Sequence, residues 1–250
     1  MHRDLALALS LADAADALTM QHFRTQFEVR TKSDRTPVSE VDEAVERMIR
    51  ERLASERPGD GIVGEEYGTT GAGARRWIVD PIDATKNYIR GIPIFATLIA
   101  LEENGTLIAG VVSAPALQRR WWASRGEGAF CNLERIRVSS VAMIEDAHLG
   151  YDDLAGFART DLEQQFINAS LRFGRTRGFG DFWSHMLVAE GAIDVAIEPE
   201  VALWDLAALQ VIVEEAGGRF TNLRGETRAD GGSAVSTNGV LHDSVLEAFR

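Results

Sequence analysis

The sequence predicts a layered α/β fold in which helices and sheets alternate. Its first half places two amphipathic helices before a series of short strands, and its second half alternates strands with helices, which is the pattern of an α/β layer. The chain has 250 residues, enough for one large unit or two small ones with a real core. We expect residues 1–140 and 141–250 to form the two halves of one compact unit.

Two helices are predicted near the N-terminus, because apolar residues recur there at helical spacing. The first covers about residues 4–23, and the second begins after Ser39 and ends at the Pro-Gly turn of residues 57–60. Their apolar faces are marked by Leu5, Leu9, Ala12, Ala15 and Leu18 in the first helix and by Val41, Val45, Met48, Ile49 and Leu53 in the second.

Two short apolar runs, residues 61–64 and 77–79, are predicted to be buried strands. Each is followed by acidic residues, Glu65 in one case and Asp80 in the other. We therefore expect the carboxyl ends of these strands to meet at a site. The Gly- and Thr-rich residues 68–74 are expected to form a loop between them.

Hairpins and then alternating elements follow along the chain. Residues 95–102 and 107–113 are predicted to pair around Asn104-Gly105, since this dipeptide suits the positive φ angles of a type I′ turn. Residues 119–124 and 129–132 suggest a second hairpin. In the second half we expect strands near residues 147–151, 193–197 and 218–220, and helices near residues 162–171, 181–189 and 205–216.

The charge balance restricts the partners that the protein can bind. The formal net charge is −12 and no run of Lys or Arg is present, which argues against nucleic acid. An acidic protein that binds an anion needs local positive charge, and a bound divalent cation is the simplest source of it.

The single cysteine, Cys131, excludes an intrachain disulfide and favours a reducing cytoplasm. The longest strongly apolar stretch, residues 92–101, is shorter than the roughly 20 residues that span a bilayer. The N-terminus does not have the pattern of a signal peptide. We expect a cytoplasmic protein without a membrane partner.

The segment Asp80-Pro-Ile-Asp83 carries the strongest chemical signal. Its two carboxylates flank a proline after a buried strand, and with the Ile82 carbonyl they can face one point, as Mg²⁺ requires of oxygen ligands. Ala84 and Thr85 can then open a helix whose free N–H groups accept a phosphate.

Each acidic segment also has a plainer explanation on its own. Asp80–Asp83 reads as an Asp-Pro turn, and Glu65-Glu66 reads as a solvated loop. Asp205 and Asp181 suit the starts of helices, and Ser39 with Asp42 makes a capping box. The combination of segments, rather than any one of them, favours a metal site.

In this order and spacing, the segments resemble the inositol monophosphatase family, and the resemblance covers about residues 5–249. The matching motifs are Gly64-Glu-Glu66, Asp80-Pro-Ile-Asp-Ala-Thr85, Trp204-Asp-Leu-Ala-Ala208 and Glu215-Ala-Gly-Gly218. Within the family, the likeness is greatest to histidinol-phosphate phosphatases of the actinobacterial type, through Arg119-Arg-Trp-Trp122, Gly180-Asp-Phe-Trp183 and Val188-Ala-Glu-Gly191. The resemblance implies an α-β-α-β-α sandwich and a homodimer.

The resemblance also implies a role for individual residues. Two or three Mg²⁺ ions would be bound by Glu65, Asp80, the carbonyl of Ile82, Asp83 and Asp205. The catalytic residues would be Thr85, Asp42 and Glu65, with Thr85 and Asp42 positioning the attacking water. The substrate would contact Ala84, Thr85, Asp181, Glu198 and Asp205. Glu198 and Asp181 would suit the ammonium group of histidinol phosphate.

Ala84 departs from the family pattern, which has glycine at this position. Glycine is often required for a positive φ or for close backbone approach. We expect Ala84 to lie in the first turn of a helix with negative φ, where alanine costs little.

The expected activity is Mg²⁺-dependent hydrolysis of histidinol phosphate to histidinol and phosphate. An alternative within the same class is a phosphatase of inositol 1-phosphate or of another sugar phosphate. An alternative of another class is a non-catalytic partner in a transcription complex, but the sequence keeps every residue that matches a metal ligand.

Overall fold

The computed structural model of the protein describes residues 3–32 and 36–249. Within them the chain forms eight α-helices, which are α1 (Arg3–His22), α2 (Glu40–Glu56), α3 (Thr85–Ile89), α4 (Leu154–Arg159), α5 (Glu163–Ser170), α6 (Asp181–Ala189), α7 (Leu203–Glu215) and α8 (His242–Ala248). None of these helices is both long enough and apolar enough to cross a bilayer.

The described strands form a ribbon and two sheets. The ribbon pairs β1 (Val29–Thr31) with β2 (Pro37–Ser39). The large sheet contains β3 (Gly61–Gly64), β4 (Gly68–Thr70), β5 (Arg75–Asp83), β6 (Ala96–Glu103), β7 (Thr106–Ala114), β8 (Arg119–Ser124), β9 (Gly128–Cys131) and β10 (Glu134–Arg135). The small sheet contains β11 (His148–Tyr151), β12 (Arg175–Arg177), β13 (Val195–Glu198), β14 (Arg219–Thr221) and β15 (Ala234–Thr237).

Both sheets are mixed. The large sheet has the order β10-β9-β8-β7-β6-β5-β3-β4, and all neighbours are antiparallel except β3 and β5. The small sheet has the order β12-β11-β13-β15-β14, in which β11 runs parallel to both of its neighbours. Because β3 and β5 are parallel, their carboxyl ends lie side by side, as the sequence predicted.

The elements stack in five layers. Helices α1 and α2 cover one face of the large sheet, and α7 with α6 covers the other. The opposite side of α6 and α7 packs on the small sheet, whose far face is covered by α5 and α8. This order confirms the predicted α-β-α-β-α sandwich, and it places the acidic strand ends of the large sheet against α6 and α7.

Most predicted elements are present, including the hairpin at Asn104-Gly105, where both residues have positive φ. The prediction of a plain loop over residues 68–74 is wrong in part, because residues 68–70 form β4 at the edge of the large sheet. The short elements that were not predicted include α4, α8, β2, β10, β12 and β15.

Close packing of α7 on the large sheet requires a glycine in β7. A Cβ at Gly110 would lie 2.6 Å from the carbonyl oxygen of Ala208. This oxygen belongs to the backbone and a Cβ is fixed to the backbone, so no side-chain rotation can relieve the clash. We expect Gly110→Ala to lower the free energy of unfolding by about 1–3 kcal/mol, as in other overpacked cores. Gly59→Ala is the control, since nothing lies within 4 Å of its Cβ. Equal losses for both variants in urea denaturation would contradict this packing.

Candidate metal and phosphate site

A β-bulge in β5 brings two aspartates to the same face. In a regular strand, residues three apart point to opposite faces. The pairing of β5 with β6 shifts between Asp80, opposite Leu98, and Asp83, opposite Ala96, so that β5 holds one extra residue there. Ile82 consequently joins the core under α1 and α2, and both carboxylates face α6 and α7.

The proline between the aspartates lies within this strand. The sequence suggested a turn after residue 79, but β5 continues through Asp83, so this detail was wrong. Proline is tolerated in strands at bulges, because no ladder hydrogen bond is then lost. The Pro81 carbonyl accepts a hydrogen bond from the buried Thr97 hydroxyl at 2.8 Å, which holds the bulge in place.

Asp80, Asp83 and Asp205 form a three-carboxylate cluster. One oxygen from each lies within 4.8 Å of the others, which makes this group a candidate metal site within the described residues. The two strand residues are almost fully buried, with exposed fractions of 1% and 8%. Asp205 enters from the first turn of α7, where its Oδ2 accepts a hydrogen bond from the Ala202 N–H at 2.8 Å.

Backbone N–H groups orient the other two carboxylates. Asp80 Oδ1 accepts from the Ile82 N–H at 3.0 Å, and Asp83 Oδ2 accepts from the Phe182 N–H at 2.8 Å. The second bond joins the large sheet directly to the start of α6. The cluster is therefore built where three elements of two layers meet.

Burial and mutual repulsion raise the pKa of every carboxyl in the cluster. Burial is the larger cause for Asp80 and Asp83, followed by repulsion from neighbouring carboxylates, and both pKa values lie well above the ordinary value. Burial raises the pKa of Asp205 to about 7, with repulsion from Glu65 and Glu198 adding to it. A divalent cation would reverse this effect, because it supplies the missing opposite charge.

Glu65 and the three aspartates line one cavity of about 430 Å³, but Glu65 lies outside the three-carboxylate cluster. Its Oε1 is 2.7 Å from the Lys32 ammonium, which also binds Glu66 Oε1 at 2.7 Å. Burial acts to lower the pKa of Lys32, but the two carboxylates outweigh it and raise that pKa. The lysine charge thus neutralises the acidic corner at the end of β3.

Thr85 lines the same cavity and contacts Asp42, as the resemblance implied. The Thr85 hydroxyl lies 2.9 Å from the Ile82 carbonyl and 3.2 Å from Asp42 Oδ1. Asp42 Oδ2 accepts from the Ser39 N–H at 2.8 Å and from the Ser39 hydroxyl. Asp42 therefore completes the capping box of α2 and also accepts a hydrogen bond from Thr85, while its role in positioning a water stays a prediction. Burial raises its pKa to about 6.

Ala84 corrects the expectation of a negative φ. Its φ is 64° and its ψ is 44°, so it occupies the left-handed region immediately before α3. An L-residue with a Cβ is strained there by roughly 1–2 kcal/mol, and the glycine of the family pattern would avoid this cost. Thr85 begins α3, and the first N–H groups of a helix have no intrahelical acceptor.

The second group of carboxylates lies on the small-sheet side of the site. Asp181 begins α6 and Glu198 ends β13, and both line a cavity of about 130 Å³ together with Asp83 and Asp205. Burial, then repulsion from Asp152 and Glu198, raises the pKa of Asp181 to about 8. Asp181 has φ 47°, a second left-handed residue at the site.

Glu198 is 4% exposed, and its Oε1 has no hydrogen-bond partner. The ring of His185 faces it, with Nε2 3.5 Å from Glu198 Oε1, and this nitrogen likewise has no hydrogen-bond partner. His185 Nδ1 is 2.6 Å from the Ser236 hydroxyl. Glu198 also lines the small cavity, so its carboxyl group can contact a molecule bound there.

Asp152 was missed by the sequence reasoning. It follows β11 and lines both the small cavity and the larger one of about 430 Å³ beside it. Surrounding protein atoms that displace water raise its pKa to about 6, with repulsion from Glu198 adding to the effect. The signal was available, since Asp152 and Asp153 follow a predicted strand just as Asp80 does.

The donor set suits a divalent cation. Asp80, Asp83 and Asp205 line the larger cavity together with Glu65, which follows β3, and with Ile82. Carboxylate and carbonyl oxygens are the ligands that Mg²⁺ prefers. The cavity also exposes the start of α3, where free N–H groups favour an anion. The arrangement can therefore bind cations and a phosphate next to each other.

Comparisons with known proteins identify the family of the chain. The model of the inositol monophosphatase family matches residues 1–250. A protein named histidinol-phosphatase from Mycobacterium tuberculosis is 54% identical, with 98% of this chain and 97% of the relative covered. One of the same name from Streptomyces coelicolor is 49% identical, with 97% and 95% covered.

Solved structures show the same fold. An IMPase from Thermotoga maritima superposes with a TM-score of 0.91 at 33% identity, covering 99% of this chain and 97% of its own. The extragenic suppressor protein suhB from Bartonella henselae has a TM-score of 0.93 at 29% identity, covering 100% and 99%. The chain belongs to the inositol monophosphatase family, a Mg²⁺-dependent family of phosphoric monoester hydrolases.

Metal-free protein should lose stability as the pH rises. The pKa of Asp205 is raised from 3.8 to about 7 in the folded chain, so between these values the folded state holds protons that the unfolded state has lost. We expect Tm in EDTA to fall from pH 5 to pH 8. Asp205→Asn should be more stable than the wild type at pH 8 by about 1 kcal/mol or more, roughly 2–4 °C in Tm. A wild-type Tm that rises over this range would contradict the prediction.

Ala84→Gly should stabilise the protein, because it relieves the left-handed strain. We expect the free energy of unfolding to rise by about 1 kcal/mol in denaturant titrations. Ala158→Gly, at an exposed position in α4 with no such strain, should instead lose about 0.5–1 kcal/mol. If both variants lost stability equally, the conformation of Ala84 would not be strained.

Proposed function

We propose that this chain is a Mg²⁺-dependent phosphatase that hydrolyses histidinol phosphate to histidinol and inorganic phosphate. The observation that carries the proposal is the buried cluster of Asp80, Asp83 and Asp205 beside the N-terminus of α3. Relatives of 49–54% identity named histidinol-phosphatase support the choice of substrate.

The cations would be bound by carboxylates and by one carbonyl, the ligands being Glu65, Asp80, Ile82, Asp83 and Asp205. When bound, two or three Mg²⁺ ions neutralise the phosphate charge and make a water more acidic. Asp80, Asp83 and Asp205 are already oriented by backbone N–H groups or by helix geometry, so little reorganisation is needed.

The chain itself positions the attacking water and the phosphate. Thr85 would donate its hydroxyl proton to Asp42 Oδ1, one of the two acceptors within its reach, the other being the Ile82 carbonyl. The Thr85 oxygen could then accept a hydrogen bond from the attacking water, which leaves a lone pair of the water directed at phosphorus. Glu65 offers a second carboxylate acceptor beside the water. The N–H groups of Ala84 and Thr85 bind phosphate oxygens, and Asp205 lies beside the ester oxygen of the substrate.

The second carboxylate group would bind the cationic part of histidinol phosphate. Asp181 and Glu198, with Asp152 between the two cavities, line one side of the phosphate position with carboxyl groups, and a bound ammonium group would favour their ionised form. An ammonium group could donate to the carboxylate of Glu198 where this residue lines the small cavity, and charge-assisted hydrogen bonds of this kind are strong. Inositol 1-phosphate has no ammonium group, so these carboxyl groups would contribute less to its binding affinity.

The remaining expectations stay proposals. We infer a cytoplasmic homodimer whose two halves, divided near residue 140, act as one catalytic unit. The single buried Cys131 supports a reducing compartment. Packing of α7 against both sheets supports a joint unit. A purely non-catalytic role would not require a repulsive cluster of buried carboxylates, which lowers stability unless it binds a cation.

The decisive assay measures phosphate release from histidinol phosphate with Mg²⁺ and then with EDTA. We expect turnover with Mg²⁺, loss of at least about 100-fold in EDTA, and a kcat/KM for inositol 1-phosphate at least about tenfold lower. Asp83→Asn should abolish turnover. Faster hydrolysis of inositol 1-phosphate would favour the sugar-phosphate alternative, and no turnover of either would contradict the enzyme assignment.

Glu198→Gln tests the recognition of the amine. It removes the negative charge but keeps the shape, so kcat/KM for histidinol phosphate should fall by about 10–100-fold. Activity on a neutral sugar phosphate should change by less than about threefold. Glu163→Gln, exposed on α5 and remote from the cavities, is the matched control. Equal losses on both substrates would remove Glu198 from the amine-binding role.

A further inference from the structure

Glu46 is a fully buried carboxylate outside the cluster of proposed metal ligands. It lies on α2 with an exposed fraction of 0%. Its Oε2 accepts a hydrogen bond from the Glu66 N–H at 2.7 Å, and its Oε1 accepts from the Tyr67 N–H at 3.2 Å. A buried charge is costly unless it is paired and hydrogen-bonded, so these contacts indicate a specific task at the end of β3.

Gly64 is required by the same carboxylate. A Cβ at this position would lie 2.1 Å from Glu46 Oε1, closer than any side chain allows. Its φ is not in the left-handed region, so space rather than backbone conformation excludes a side chain here. Gly64 and Glu46 therefore form one unit, in which the carboxylate lies directly against the backbone.

Arg50 extends this unit to the next strand. Its Nε binds Glu46 Oε1 at 2.6 Å, one helical turn away on α2. Its guanidinium also donates to the Thr70 hydroxyl at 3.0 Å and to the Gly68 carbonyl, so it holds β4. β4 is an exposed strand at the edge of the sheet, so no further strand pairs with its outer side.

We infer that Glu46 is a positioning residue for Glu65. Glu65 lies between Gly64, whose backbone touches the Glu46 carboxylate, and Glu66, whose N–H is bound by it. The Glu65 backbone is thus fixed on both sides by one group, and its side chain faces the shared cavity. The Lys32 ammonium attracts the side chains of Glu65 and Glu66. Glu46 holds the backbone of the same residues, so it opposes a shift of this backbone towards the lysine.

This inference rests on the proposed role of Glu65 as a Mg²⁺ ligand. Groups that orient a metal ligand typically change metal affinity by about 10–100-fold when replaced. They do not touch the substrate, so the rate at saturating metal should be nearly unchanged. This split separates a positioning role from a catalytic one.

The test compares Glu46→Gln with Glu65→Gln and with Glu51→Gln, an exposed control on the same helix. Mg²⁺ affinity is measured by calorimetry on EDTA-stripped protein and by the rise of Tm with added Mg²⁺. We expect Glu46→Gln to weaken Mg²⁺ binding by about tenfold, with kcat at saturating Mg²⁺ within about threefold of wild type. Glu51→Gln should match the wild type.

Gly64→Ala is a second variant that keeps the carboxylate but forces it away from the corner. It should also weaken Mg²⁺ binding by about tenfold. Wild-type Mg²⁺ affinity in either folded variant, while Glu65→Gln binds Mg²⁺ weakly, would overturn the role of Glu46 and leave the proposed function intact. Wild-type affinity in Glu65→Gln would instead overturn the ligand assignment of Glu65.

Discussion

Repulsion among buried carboxylates is the constraint on which the rest of the site depends. Asp80, Asp83 and Asp205 converge from a bulged strand and a helix start until one oxygen of each lies within 4.8 Å of the others. Such a group is unfavourable by itself, and the chain maintains it with an added strand residue and directed N–H groups. Ala84 and Asp181 hold left-handed backbone at the same place, which is typical of functional sites.

The chain offsets this negative charge differently on each side. Protonation is favoured in the three-carboxylate cluster, since burial raises the pKa values there. On the β3 side, Lys32 provides a permanent charge between Glu65 and Glu66. On the small-sheet side, the carboxyl groups of Asp181 and Glu198 line a cavity of about 130 Å³. Protonation and the Lys32 ammonium thus limit the repulsion among the carboxylates in the metal-free chain.

Sequence reasoning located candidate site residues where acidic side chains directly follow a predicted strand. Acidic residues after residues 61–64 and 77–79 predicted that these two strand ends meet, although not that the strands are parallel, and Asn104-Gly105 predicted the long hairpin. The bulge at residues 80–83 could not be predicted, because register depends on pairing with β6. The φ of Ala84 was predicted wrongly, since alanine normally avoids that region. The partner of Gly64 is Glu46, 18 positions earlier, and only the packing of α2 reveals this contact.

Proton release on Mg²⁺ binding tests the central claim most directly. If the buried carboxyls hold protons in the metal-free protein, Mg²⁺ must displace them. Calorimetric titration of EDTA-stripped protein in buffers of different ionisation enthalpy measures this number. The account predicts release of roughly one proton or more per chain at pH 6.5, and a smaller release at pH 9. A binding enthalpy that is independent of the buffer at pH 6.5 would contradict it.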